Sequence, residues 1–193
     1  EEGYTCIDGV SRQFFGKTGT PISNYLVGDS VYLNVNNILK EFIIVQQGRP
    51  GYSWGGTSLR TGIGLDGTWL LMKDIYTTMN APRPNSLYNS DIWEYLDNTF
   101  FTLLDENVQN IINQVNIHGN KKIFLLSYDE LGFAGIEDMS DSHAPLAYFN
   151  GASSAKRIAY YNGSAYDWWM GSQRIEHGTA GGVSIVSYYY GYV

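Results

Sequence analysis

Residues 31–46 have the sequence VYLNVNNILKEFIIVQ, which contains the clearest strand signals in the chain. Val31 to Val35 alternates apolar and polar residues, as a half-buried strand does. Glu41 to Gln46 holds the continuous apolar run of a buried strand. Asn36 and Asn37 between the two runs have the composition of a tight turn. The stretch therefore predicts a β-hairpin.

The residues that follow predict a third strand and two helices. Thr68 to Met72 is a further apolar run of strand length, flanked by glycine-rich sequence. A helix is predicted at about 90–101, because Ser90 is a suitable N-cap and apolar residues recur at helical spacing behind it. A second helix is predicted at about 105–118, since its apolar residues share one face and Gly119 is a stop signal.

The order of strands, then helices, then strands predicts an α+β fold with short antiparallel strands and long structured loops. Lys122 to Ser127 is expected to form another buried strand. Residues 1–25 are rich in Gly, Ser and Thr with weak periodicity, so we expect a linker or an irregular edge segment there. Residues 26–193 are expected to form one folded domain.

Composition excludes several classes of function. The formal net charge of −7 leaves no basic patch for nucleic acid and disfavours adsorption to an anionic membrane. The longest apolar run, Phe42 to Val45, is far too short to span a bilayer, so no membrane insertion is expected. A single cysteine, Cys6, rules out an intramolecular disulfide. Because the chain begins with Glu1 and Glu2, we expect a fragment of a longer protein or a processed product.

No catalytic or metal-binding motif is present in the sequence. His118, His143 and His177 lack metal-ligand spacing, so zinc is not expected. Asp138 and Asp141 lie in an acidic stretch that is better explained as a solvated loop than as a weak calcium site. We therefore expect no cofactor and no metal.

One enzymatic alternative stays open. A glycan- or cell-wall-active hydrolase needs two carboxylates about 5 to 10 Å apart. Glu130, Glu137 or Glu176 could each approach an aspartate in the fold, although nothing in their spacing selects a pair.

The C-terminal segment, residues 156–193, is the strongest functional signal. It carries seven of the sixteen tyrosines, together with two tryptophans and several polar residues. Tyr and Trp provide large, stiff contact area at low entropic cost, which favours a recognition surface over a reaction centre. The alternative is an aromatic strand needed only for folding. The expected ligand contacts are Tyr166, Asp167, Trp168, Gln173, Arg174, Glu176, His177, Tyr188, Tyr189 and Tyr190.

Adjacent side chains in a strand point to opposite faces. Of Trp168 and Trp169, we therefore expect one to serve the core and the other to face outward.

Five stretches resemble, in the same order, a domain of unassigned function found in gut bacterial surface proteins and phage tail-associated proteins. They are GTWLLMKDI (67–75), YNSDIWEYLD (88–97), IFLLSYDELG (123–132), KRIA (156–159) and DWWMGS (167–172). The resemblance covers residues 26–193 and implies a fold similar to that of C-type lectins. It also implies that the C-terminal region is the target of a diversity-generating retroelement in some members, where rewriting creates new binding surfaces.

The chain departs from this family pattern at two positions. Members typically have Trp-Trp-Leu-Arg-Ser-Pro, whereas Gly171 and Gln173 stand here at the places of the Arg and the Pro. Changes at these positions fit a diversified segment. The Glu-Pro-Asn and Trp-Asn-Asp motifs of calcium-dependent lectins are absent from the sequence, so the resemblance implies a fold and not sugar binding.

The aromatic segment thus predicts a non-enzymatic ligand-binding module for receptor recognition or adhesion, and the resemblance implies a location on a virion tail or on a bacterial cell surface. Its expected partner is a cell-surface protein or glycan, and an oligomer would arise through a larger host protein. Besides the hydrolase, a structural tail or surface subunit is the further alternative, with the aromatic end as a subunit interface.

Overall fold

The computed structural model describes residues 5–7, 10–12, 22–51, 63–79, 91–116, 120–133, 144–176 and 179–186. Side chains are not described for 5–7, 10–12, 63–64, 172–176 and 179–186, where only the backbone path is given. Helices and antiparallel strands occur together in these residues, which confirms an α+β fold in general terms.

The central element is a three-stranded antiparallel sheet of β3 (Ser30–Val35), β4 (Ile38–Gln47) and β5 (Thr68–Met72). Strand β4 lies in the middle and pairs with both of the others. The predicted hairpin is confirmed: Asn36 and Asn37 form its turn with φ angles of 52° and 60°. Two consecutive positive φ values are the signature of the type I′ turn, whose twist matches that of the flanking strands. The third strand has the predicted bounds.

Both faces of this sheet are covered by hydrophobic clusters. Successive residues of a strand point to opposite faces, so apolar residues of the sheet contribute to one cluster or the other. The helix-side core consists of Val31, Leu33, Val35, Phe42, Ile44, Phe100, Leu104 and Val108. The loop-side core consists of Val45, Leu65, Trp69, Trp93, Val115, Leu126, Tyr128, Leu131, Leu146, Phe149 and Met170. The sheet is therefore the partition between two cores, and β4 supplies residues to each.

The first predicted helix is present as one continuous helical path. It begins as α1 (Asp91–Tyr95), continues as a π-helical turn (Leu96–Phe100) and ends as a 3-10 turn (Phe101–Leu103). Its buried residues Ile92 and Trp93 lie next to each other in α1, and Phe100 is buried in the π-helical turn. The departure from α geometry was not visible in the apolar spacing.

The second predicted helix, 105–118, was too long. Helix α2 spans only Glu106–Ile111, and β6 (Val115–Asn116) then pairs with β7 (Asn120–Lys121). The backbone becomes extended at Ile112. The β-branched residues in this stretch are restricted in a helix and fit strands, which favours the early end.

The strand predicted at Lys122 to Ser127 was wrong. Within the described part of the chain this segment belongs to no sheet, although Leu126 and Ser127 are buried. The backbone N–H of Gly171 donates to the carbonyl oxygen of Leu126 at 2.7 Å, but no strand ladder is formed there. The apolar character of Lys122 to Ser127 is therefore explained by burial in the loop-side core and not by strand pairing.

Three separate two-stranded hairpins complete the described chain. Strands β1 (Thr5–Ile7) and β2 (Val10–Arg12) pair with each other in the N-terminal segment. Strands β8 (Ala159–Tyr161) and β9 (Ser164–Tyr166) form a short hairpin. They are followed at once by the longer pair of β10 (Trp168–Glu176) and β11 (Thr179–Val186), in which two register shifts interrupt the ladder.

Candidate functional site

The candidate site is built around the tyrosine hairpin, residues 159–166, with the sequence AYYNGSAY. Asn162 and Gly163 form its turn, with φ angles of 50° and 81°. Asn-Gly is the dipeptide that the type I′ hairpin turn prefers, because both residues tolerate positive φ. The local sequence alone therefore specifies a tight two-stranded ribbon with a tyrosine pair on one strand and a tyrosine at the end of the other.

The tyrosine rings of this ribbon are largely accessible. Tyr160 is 45% exposed and Tyr166 is 46% exposed, whereas Tyr161 is half-buried. The rings of Tyr161 and Tyr166 lie on one face, with centroids 5.8 Å apart and planes inclined by 58°. Tyr160 is paired with Ala165 and so occupies the opposite face. Both faces of the ribbon thus present aromatic area.

Two hydrogen bonds fix the tyrosine hairpin, one across its base and one to another segment of the chain. At its base, the indole Nε1 of Trp168 donates to the carbonyl oxygen of Arg157 at 2.8 Å. On its first strand, the carbonyl oxygen of Tyr160 accepts from the backbone N–H of Ile75 at 2.9 Å. The first contact joins the chain entering the hairpin to the chain leaving it. The second ties the ribbon to the segment after β5.

Arg157 connects the base of the hairpin to the loop-side core. Its side chain is buried, and its guanidinium donates to the carbonyl oxygens of Leu131 at 2.6 Å and Gly132 at 3.3 Å. The guanidinium also lies 4.7 Å from the ring centroid of Phe133. Burial lowers the pKa of Arg157 from its ordinary value, but a guanidinium remains charged at neutral pH. Arg157 thus holds two parts of the chain together and forms a structural clamp. Its side chain donates to the turn at Leu131 and Gly132, and its backbone carbonyl accepts from Trp168.

The turn that Arg157 holds is itself capped by buried polar groups. The carboxylate of Glu130 accepts from the backbone N–H of Ser127 at 2.8 Å, and the Ser127 hydroxyl accepts from the N–H of Glu130 at 3.3 Å. This reciprocal pair is the Ser-x-x-Glu capping box. Glu130 is 1% exposed. The hydrolase alternative counted Glu130 as a candidate carboxylate, and the structure places it as a buried cap.

Two glycines allow the close approaches on which this arrangement depends. Gly132 has a φ of +74°, and a Cβ atom there would lie 2.8 Å from the carbonyl oxygen of Phe149. At Gly171 a Cβ atom would lie 2.6 Å from the carbonyl oxygen of Leu125. Contacts under 3.0 Å are forbidden to a real Cβ, so the backbone would have to move. Close packing against Leu125 therefore explains the glycine at position 171, where the family resemblance implies Arg.

The structure places only part of the predicted contact set. Tyr166 is exposed, as a ligand contact requires, and Asp167 is half-buried. Trp168 is half-buried, packs against the loop-side core and uses its indole N–H internally. Trp168 thus serves the core, as expected of one of the two tryptophans; Trp169 is also half-buried, and its outward orientation stays a prediction.

The remaining predicted contacts are not described at the side-chain level. Gln173, Arg174 and Glu176 lie in the second half of β10, residues 172–176, where only the backbone is given. His177 and Tyr188, Tyr189 and Tyr190 lie outside the described residues. So do Glu137 and the acidic stretch with Asp138 and Asp141.

Two exposed or half-exposed rings, Tyr160 and Tyr161, were missing from the predicted contacts. The Asn162-Gly163 dipeptide between two tyrosine-bearing runs was the signal that could have identified them.

The side chains of the described residues form no group of three or more His, Cys, Asp or Glu residues able to hold a metal ion. No helix among them has the length and the apolar character that crossing a membrane requires.

Comparison with known proteins gives a family without an assigned activity. No curated protein and no solved structure matches the chain. The family model described as "Domain of unknown function (DUF6273)" matches residues 66–193, about two thirds of the sequence. The match includes β5, the helices and the tyrosine hairpin, and begins after β3 and β4. The chain therefore belongs to the DUF6273 family of domains of unknown function.

Proposed function

We propose that this protein is a ligand-binding module that recognises a protein or glycan on a cell surface. The tyrosine hairpin and the adjoining hairpin β10–β11 form its recognition surface. The observation that supports this most is the exposure of Tyr160 and Tyr166, at 45% and 46%, on a ribbon that Trp168 and Ile75 fix to the body. Large exposed aromatic residues on a fixed support are typical of contact surfaces.

Fixation matters because binding costs conformational entropy. A loop that must order itself on contact loses part of the interaction energy, whereas a preformed ribbon does not. The type I′ turn at Asn162 and Gly163 and the Trp168–Arg157 hydrogen bond both restrict the free hairpin. Tyrosine also has few rotatable bonds, so its immobilisation costs little.

The finer proposal is a C-type-lectin-like fold whose C-terminal region is diversified, carried on a virion tail or a bacterial cell surface. In its support, the helices follow the three-stranded sheet, long irregular segments follow the helices, and the aromatic hairpins come last. Gly171 is one departure from the family motif that needs no diversification, because packing against Leu125 accounts for it. The proposal of diversification therefore rests on the segment after Gly171.

The test is a pair of alanine variants, Tyr160→Ala and Tyr166→Ala, compared with the parent on arrays of surface proteins and glycans. Leu39→Ala is the matched control, because Leu39 is 47% exposed but lies in β4, outside the hairpin. We expect both tyrosine variants to bind the array more weakly than the parent while their melting temperatures stay within a few degrees of it. Equal binding by all three variants would contradict the assignment of this surface.

The encoding DNA tests diversification separately. A near-identical template copy that differs at adenines, next to a reverse transcriptase gene, is the expected arrangement. A locus without such a copy would rule it out.

A further inference from the structure

We propose that the partner of the tyrosine hairpin is a neutral glycan chain, with a sugar ring stacked on each of Tyr160 and Tyr166. This inference rests on the proposed function and narrows its ligand to one class.

The absence of charged side chains from the tyrosine hairpin itself is the first argument. Residues 159–166 contain only Ala, Tyr, Asn, Gly and Ser, so the hairpin carries no charged side chain at neutral pH. The whole chain has a formal charge of −7, which repels anionic polymers such as acidic polysaccharides. Protein partners are commonly steered and aligned by complementary charges, and the hairpin offers none. A neutral, hydroxyl-rich ligand is the class that matches it.

The exposure of the ring faces is the second argument. The cross-strand neighbour of Tyr160 is Ala165 and that of Tyr166 is Ala159, so a methyl group is the largest side chain directly opposite each ring. These small partners cover little of either ring, and both tyrosines are exposed, although Tyr166 also lies beside the ring of Tyr161. The apolar C–H face of a pyranose can lie flat on such a ring, as apolar surfaces do on aromatic ones.

The polar groups around these rings are the third argument. The amide of Asn162 and the hydroxyl of Ser164 are exposed at the turn, and each phenol adds a donor and acceptor. Sugar hydroxyls need both donors and acceptors at short range. The hairpin thus combines two stacking platforms with uncharged hydrogen-bonding groups, which is the pairing that a neutral oligosaccharide requires.

Tyr160 and Tyr166 lie on opposite faces of the ribbon, and this determines how their contributions to affinity should combine. Tyr166 presents its face beside Tyr161, whereas Tyr160 presents its face on the other side. Because the faces are separated by the ribbon itself, each exposed ring should contribute to affinity independently. Additive losses are therefore expected when the two rings are removed one after the other.

The experiment uses the full chain and an array of neutral hexasaccharides built from glucose, galactose, mannose and N-acetylhexosamines, with uronic-acid and sulfated chains as anionic comparisons. Affinities for array hits are then measured by calorimetry. We expect binding to at least one neutral chain and none to the anionic ones. Tyr160→Ala and Tyr166→Ala should each weaken that binding about tenfold, as expected for a lost aromatic stack. Tyr160→Phe and Tyr166→Phe, which keep the rings, should stay within about threefold of the parent.

The outcomes separate this inference from the proposed function. Absence of binding to every neutral chain, or unchanged affinity in both alanine variants, overturns the glycan assignment. Hairpin-dependent binding to arrayed surface proteins in its place would leave the recognition module intact with a protein ligand. Binding that no hairpin substitution alters, on either array, would overturn both.

Discussion

The indole Nε1 of Trp168 lies 2.8 Å from the carbonyl oxygen of Arg157, and this hydrogen bond closes the base of the tyrosine hairpin. The same Arg157 residue donates from its side chain to Leu131 and Gly132. One residue therefore couples the exposed ribbon to the buried turn beneath it. The orientation of the candidate surface depends on contacts that lie inside the protein.

Trp168→Phe should loosen the hairpin without unfolding the domain. The substitution keeps an aromatic ring against the loop-side core but removes the donor to Arg157. We expect a loss of about 1 kcal/mol in the free energy of unfolding, the usual net value of one hydrogen bond. Amide exchange at residues 159–166 should become faster. Trp169→Phe is the matched control, and equal exchange in the two variants would show that the base is held by other contacts.

Gly132→Ala and Gly151→Ala should differ sharply in their cost. Both glycines have positive φ angles, +74° and +64°, so both variants lose about 1–2 kcal/mol to backbone strain. Only at Gly132 does the new Cβ meet a backbone atom, the carbonyl oxygen of Phe149 at 2.8 Å. Around Gly151 no atom lies within 4 Å. Chemical denaturation should therefore rank Gly132→Ala well below Gly151→Ala, and similar stabilities would mean that the turn relaxes at little cost.

Glu41 should give the sheet a pH-dependent contribution to stability. Burial raises the pKa of Glu41, but hydrogen bonds from Lys73 and Ser30 outweigh burial and hold it below its ordinary value of 4.5. The hydrogen bond to Glu41 is also the main cause that raises the pKa of Lys73 above 10.5. The contribution is thus fully present above pH 4.5 and is lost as pH falls through the lowered pKa of Glu41. At the basic end it is present below pH 10.5 and is lost as pH rises through the raised pKa of Lys73.

Glu41→Gln tests this dependence. Because the pair is partly exposed, the variant should be less stable by at most about 1 kcal/mol at pH 7, and the difference should vanish in strong acid. Glu94→Gln, at an exposed helical position, controls for the removal of one negative charge. Unfolding measured from pH 3 to pH 8 gives the answer; a difference that stays constant across this range would contradict it.

The sequence predicted those elements whose signals are local. The alternation in Val31 to Val35 and the turn at Asn36 and Asn37 determine β3 and β4 without help from distant residues. The run at Lys122 to Ser127 misled because an apolar segment buried by loops has the same composition as a buried strand. The contacts of that run are made with residues far along the chain, which a local pattern does not contain.

The candidate site was predictable in part for the same reason. An aromatic C-terminal segment was evident from composition, and the Asn162-Gly163 turn was present in the sequence as a hairpin signal. The clamp formed by Arg157 was not predictable, since it joins residues about 25 positions apart. The capping role of Glu130 could have been recognised from the Ser-x-x-Glu spacing, but no helix of the usual length follows that would have indicated a cap.

The stretch that matches the family model, residues 66–193, should not fold by itself. Strand β5 is at the start of that stretch, and its neighbour in the sheet is β4, which precedes it. Without residues 22–65 the helix-side core loses five of its eight buried members: Val31, Leu33, Val35, Phe42 and Ile44. Burial of each such side chain is worth about 1.5–3 kcal/mol, so the total loss is as large as the usual net stability of a domain, about 5–15 kcal/mol.

We therefore expect a 66–193 fragment to show no cooperative thermal transition by circular dichroism and no dispersed amide spectrum. A 22–193 fragment, which retains the whole three-stranded sheet, should show both. Adding a separate 22–65 peptide to the shorter fragment should restore part of the ordered signal, since every residue of β5 pairs with β4. Cooperative unfolding of 66–193 alone would mean that β3 and β4 are an appendage to the family domain and not part of its core.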